Sequence, residues 1–138
     1  MVINNVIYLL VEKNGFKGML KGNGAVLLNV ENSRIDHVLS NDGQDFLIVS
    51  RNGNTGIWNL DQKELVTPKY SDIQYDNAGG FILTSKDNLK GAYFLNHILI
   101  GPKYTTINLI STGNYAKVKT QNGKSGYINN AGVEFFEE

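Results

Sequence analysis

RNGNTG at residues 51–56 decides the reading of this chain, because the figure returns three more times: KNGFKG at 13–18, KDNLKG at 86–91 and QNGKSG at 121–126. Aligned on their last glycine (Gly18, Gly56, Gly91 and Gly126), the four segments are spaced by 38, 35 and 35 residues. Three carry Asn-Gly at one offset (Asn14-Gly15, Asn52-Gly53, Asn122-Gly123), and the fourth has Asp87-Asn88. Asn-Gly is the pair preferred by a two-residue type I′ hairpin, since both central residues need positive φ.

The flanks agree with a turn between strands. Before each aligned glycine stand Tyr8/Leu10, Phe46/Ile48, Phe81/Leu83 and Ala116/Val118, an alternation of period two that marks one buried strand face. After it come GMLK, GIWN, GAYF and GYIN, a polar or Gly-bearing turn, and a third apolar run: Ala25–Leu28, Leu65–Val66, Ile98–Ile100 and Val133–Phe136. The sequence therefore predicts an all-β domain of four ~35-residue antiparallel meanders. Their bounds are about 6–43, 44–78, 79–113 and 114–138, with 1–5 completing the last. Periodicity leaves open a closed propeller-like ring or an open hairpin solenoid. Ile3 stands where Ile107 stands in its segment, so residues 2–5 are expected to lie against Val133–Phe136 and protect that edge.

The chain's two prolines, Pro68 and Pro102, occupy VTPKYSDI (66–73) and GPKYTTI (101–107). They are expected just past the third strand, where a missing N–H is tolerated. Ile73 and Ile107 then return to the core, as does Ile35 in the first segment, which lacks Pro-Lys-Tyr. NGKSGYINNAG (122–132) together with VTPKYSDI resembles the WG-repeat family, and the four segments span nearly the whole chain. The family tryptophan is absent: Lys17, Thr55, Lys90 and Ser125 hold its place. The resemblance implies a bacterial β-repeat fold more than an activity.

Composition narrows the function. Thirteen basic and thirteen acidic residues cancel, and the densest basic stretch (Lys117, Lys119, Lys124) contains no arginine, so neither nucleic acid nor an anionic membrane is an expected partner. There is no cysteine for a disulfide, thiolate metal site or thiol nucleophile. The apolar run Val6–Val11 is too short for a signal core or a span, and a cytoplasmic location is expected. His37 and His97 lack carboxylates at ligand spacing, and no metal or cofactor is expected. GNG at 22–24 follows a hairpin rather than opening a helix, so it is a turn, not a phosphate cradle. Asp61, Glu64, Asp72 and Asp76 read as turn carboxylates rather than a glycosidase pair. No enzyme is expected.

Two features remain as candidate binding determinants. One is the second face of the first strand, apolar in the first two segments (Leu9, Val11; Leu47, Val49) but Lys117 and Lys119 in the fourth. It is either covered within the chain or presented to another molecule. The other is the repeated aromatics Trp58, Tyr93, Tyr70 and Tyr104, which are core plugs or a sugar-binding surface. The reading that results is a non-catalytic protein-binding module, of the kind an immunity or inhibitor protein provides, with a protein partner or self-association. A carbohydrate-binding domain is the alternative.

Overall fold

The first two Asn-Gly pairs turn as the sequence predicts. In the computed structural model, which describes residues 1–3, 5–61, 63–110 and 114–136, Asn14-Gly15 and Asn52-Gly53 all have positive φ, between 52° and 82°. The flanking pairs Lys13–Phe16 and Arg51–Asn54 close two-residue hairpins. The other two turns are longer. The Ser85 and Thr120 amides donate to the carbonyls of Leu89 and Lys124, with Asn88 and Gly123 as the left-handed residues. These are three-residue loops ending in a left-handed residue, so Asn122-Gly123 is not the type I′ pair expected. The Ser85 and Thr120 hydroxyls accept from the Leu89 and Lys124 amides and hold the loops.

Fifteen strands result among the described residues, and every ladder described is antiparallel. β1 (Val2–Ile3), β2 (Val6–Lys13), β3 (Phe16–Lys21) and β4 (Val26–Asn32) form one sheet. β5 (Arg34–Leu39), β6 (Asp45–Arg51), β7 (Asn54–Trp58) and β8 (Glu64–Tyr70) form a second. The third contains β9 (Asp72–Asp76), β10 (Gly80–Thr84), β11 (Lys90–Phe94), β12 (Leu99–Ile110), β13 (Tyr115–Thr120), β14 (Ser125–Asn129) and β15 (Glu134–Phe136). In all three, strand order follows chain order. Among the described residues no helix is long and apolar enough to cross a membrane.

Three sheets replace the four separate units expected, and the described residues form no closed barrel or propeller. The third and fourth segments merge because β12 runs unbroken through Pro102 and Thr105. The chain instead bends at Ser33, between β4 and β5, and at Ser71, between β8 and β9. All three corner hydroxyls reach ahead: Ser33 donates to the Ser50 carbonyl, Ser71 to that of Thr84 and Thr105 to that of Lys119. Threonine, β-branched, favours extended backbone and lets the strand continue. The N-terminal strand pairs locally. Val2 and Ile3 pair with Ile7 and Val6, while β15 pairs with β14 and ends its sheet. A two-residue strand reaches its nearest neighbour through a tight turn at far smaller loop cost than a partner more than a hundred residues away. Asn4, in the segment expected to close, lies outside the described residues.

Gly18 and Gly91 sit on middle strands where the third strand bulges past them, whereas Gly126 pairs directly with Phe136. Asn29, Val30 and Glu31 stand opposite Gly18 alone, and Gly101, Pro102 and Lys103 opposite Gly91 alone. A Cβ on Gly91 would lie 2.3 Å from the Ile100 carbonyl oxygen, and one on Gly56 would lie 2.5 Å from that of Val66. The prolines therefore lie inside β8 and β12 rather than beyond them, their N atoms facing Gly56 and Gly91. At a bulge the ladder has no use for the missing N–H.

The chain divides into two compact bodies, 1–38 with 45–68 and 39–44 with 69–138. In the first, Tyr8, Met19, Leu27 and Leu28 of the β1–β4 sheet pack with Ile35, Leu47 and Val49 of the β5–β8 sheet. In the second, Ala92, Phe94, Ile100, Tyr104, Ile107 and Leu109 pack with Ala116, Val118 and Ile128. Each such large apolar side chain contributes about 1.5–3 kcal/mol by leaving water. Ile35, Ile73 and Ile107 are all buried, as expected of the returning isoleucines.

Candidate functional site

The eight candidate residues part company in the structure. Leu47 is wholly buried, and Val49, Tyr70, Tyr93 and Tyr104 are buried with it but for a few per cent of their surface. Val11 and Trp58 are half-buried, and Leu9 is 48% exposed. The same two-sided apolar pattern thus has two outcomes. β6 is covered on both faces, with Phe46 and Ile48 on one and Leu47 and Val49 on the other. β2 is covered on Tyr8's face but open on the face of Leu9. Leu10, expected on the buried face, is itself exposed.

Register assembles the open face. Residues directly opposite in an antiparallel ladder share a face, and Leu9 is opposite Leu20, which is opposite Val26. Ile7 is opposite Val2, and Ile7, Leu9 and Val11 alternate along β2. Val2, Ile7 and Val26 are 66%, 53% and 50% exposed, while Leu20 and Val11 are half-buried. Six apolar side chains therefore form one contiguous patch across all four strands, which differs from singly scattered surface residues. The comparable surface of the second body is polar: Lys117 is opposite both Asn108 and Tyr127, and Lys119 opposite Thr106 and Ser125. Sequence reading found Leu9 and Val11 but missed Val2, Ile7, Leu20 and Val26. Ile7 was legible from its alternation with Leu9, whereas Leu20 and Val26 join the patch only through register.

The aromatic candidates are held from within. Phe81 packs edge-on to Tyr75 and tilted to Tyr93, and the Tyr93 hydroxyl meets His97 Nδ1 at 2.5 Å. Tyr104 donates its hydroxyl to Glu134 at 2.6 Å, and Lys103 forms an ion pair with the same carboxylate. Burial raises the ionisation of Tyr70 and Tyr93 above the ordinary phenol value. It raises Tyr104 further, helped by the Glu134 bond. The Lys103 bond, and secondarily that of Tyr104, holds Glu134 below the usual carboxylate range. These three phenols present no ring face to a sugar. His37 bonds Asp45 at 2.8 Å. Asp61 is exposed in the turn after Trp58, its amide bonded to the Asn59 side chain. Glu64 is exposed at the start of β8, and Asp72 and Asp76 are half-buried at the two ends of β9.

No protein-family model matches this chain, and no curated protein matches it either.

Proposed function

We propose that this protein is a non-catalytic protein-binding module, related in build to bacterial WG-repeat proteins, that captures a protein partner through the apolar face of β1–β4. The observation that carries this reading is the contiguous row Val2, Ile7, Leu9, Leu20 and Val26 on the outer side of that sheet. Water-exposed apolar area of this kind is repaid by association. A partner that lays an apolar surface on it gains burial with little reorganisation, because the side chains stand on paired strands rather than a loop. An immunity or inhibitor protein, which blocks a toxin or enzyme by occlusion, works in this way, and a second copy of the chain is the self-associating version.

The test is capture from the native host with the wild-type chain and with Leu9→Lys as baits. Leu9 is 48% exposed, so a lysine there keeps its ammonium in water and leaves the thermal midpoint nearly unchanged. Loss of the captured partner by the folded variant is the expected result. Equal capture by both baits would remove the face from the reading.

A further inference from the structure

Asn32 holds in the first meander the place that tyrosine holds in the next two. Asn32 is opposite Lys17 and Tyr104 is opposite Lys90, each lysine immediately preceding an aligned glycine. Tyr70 precedes Ser71 as Asn32 precedes Ser33 and Tyr104 precedes Thr105. All three residues are buried, but asparagine ends where a tyrosine ring would begin. The Asn32 side-chain amide turns back onto the backbone, donating to the Lys17 and Asn29 carbonyls. Beside it is a cleft of about 220 Å³, walled by Val49, Trp58 and Pro68 with Glu31 and Arg51. An apolar cavity of ~150 Å³ already admits benzene, so the space suits one six-membered ring.

The polar groups at this cleft match those that receive a tyrosine elsewhere in the chain. Tyr104 donates to a carboxylate, Glu134, that a cation, Lys103, also holds. The cleft includes a carboxylate, Glu31, held by the Arg51 guanidinium at 2.8 Å, and both side chains face solvent. Trp58, half-buried, adds an indole wall on which a ring can pack. We infer that this cleft receives the p-hydroxyphenyl ring of a tyrosine side chain presented by a protein partner, with the ring between Val49, Trp58 and Pro68 and the hydroxyl donating to Glu31. The partner is the one assigned under the proposed function, so the inference rests on that reading for its ligand, though not for the cleft's chemistry.

N-acetyltyrosinamide, titrated into the full chain and followed by NMR, tests it. The expected result is saturable shifts at the Asn32 side-chain amide, the Trp58 indole N–H and the Val49 methyls. N-acetylphenylalaninamide should bind at least about tenfold more weakly, since it lacks the hydrogen bond to a charged group. Asn32→Tyr supplies the ring from within, so it should raise the thermal midpoint and abolish the shifts. Shifts absent from these three residues, equal binding of the two amides, or undiminished shifts in a folded Asn32→Tyr would each overturn the inference. If Asn32→Tyr fails to fold, the wild-type shift map and the ratio of the two amides decide alone. A blank titration alongside loss of capture by Leu9→Lys removes the cleft and keeps the binding face. A positive titration alongside unchanged capture does the reverse.

Discussion

Replacing Gly91 by alanine should destabilise the fold, although the change adds a single methyl group and requires no unusual φ. That methyl would lie 2.3 Å from the Ile100 carbonyl oxygen and 2.9 Å from both Gly101 C and Pro102 N. All three contacts are backbone atoms of the bulge in β12, so no side-chain rotation relieves them. Overpacking of this kind costs about 1–3 kcal/mol, and more where backbone must move. Alanine also restricts the unfolded chain and returns ~0.4–1 kcal/mol, leaving a net loss of up to about 2.5 kcal/mol where the backbone holds. The control lies across the same bulge. A methyl on Gly101 meets nothing within 4 Å, so Gly101→Ala should be neutral or stabilising by up to ~1 kcal/mol. The unfolded-state effect is common to both variants, so at roughly 3–4 °C per kcal/mol for a chain of this size they should separate by about 3–12 °C in thermal melts. Their urea midpoints should order the same way with equal slopes. Gly56→Ala and Gly18→Ala, with closest approaches of 2.5 and 2.8 Å, should fall between them. Indistinguishable midpoints for Gly91→Ala and Gly101→Ala would show that the bulge yields freely and that close approach is not what keeps these positions glycine.

Two other outcomes follow from burial and charge. Leu47→Lys places an ammonium where Leu47 is wholly buried and should cost several kcal/mol in urea unfolding, in contrast to the tolerated Leu9→Lys; a melt within error of wild type would refute the placement of Leu47 in the core. Glu134→Gln should destabilise the chain at neutral pH by less than about 1 kcal/mol, the pair with Lys103 being partly exposed. Because the folded carboxyl lies below its ordinary value of 4.5, its contribution is complete above that pH and is lost as pH falls through the folded value. Wild type and variant should therefore converge in acid, and a gap that persists there would refute the linkage.

The aligned glycines and Asn-Gly pairs made the hairpins legible, because turn geometry is a local demand that few residues meet. The fusion of the third and fourth segments was not, since it depends on Thr105 continuing a strand where Ser33 and Ser71 bend. All three hydroxyls bond forward to a backbone carbonyl, so the hydroxyl alone does not mark which position bends. The binding face was half legible. Leu9 and Leu47 carry the same pattern in sequence, but only β6 is buried on both faces. Periodicity records which face is apolar, not which sheet comes to rest on it. The equivalence of Asn32 with Tyr104 needed the ladder to be seen, because nothing in an asparagine's identity marks a missing ring.

The unbroken agreement of strand order with chain order has a consequence for how the molecule assembles. Every ladder among the described residues joins neighbours along the chain, so each hairpin closes a short loop before the next is made, and little chain entropy is spent at any step. The seven-strand sheet can grow from β9 towards β15 one strand at a time, each strand templated by the one just laid down. The same logic runs in reverse: β15 can fray and redock without disturbing β9, as the end of a zip opens without its middle. Rigidity is therefore graded along that sheet, set by distance in sequence from a free edge.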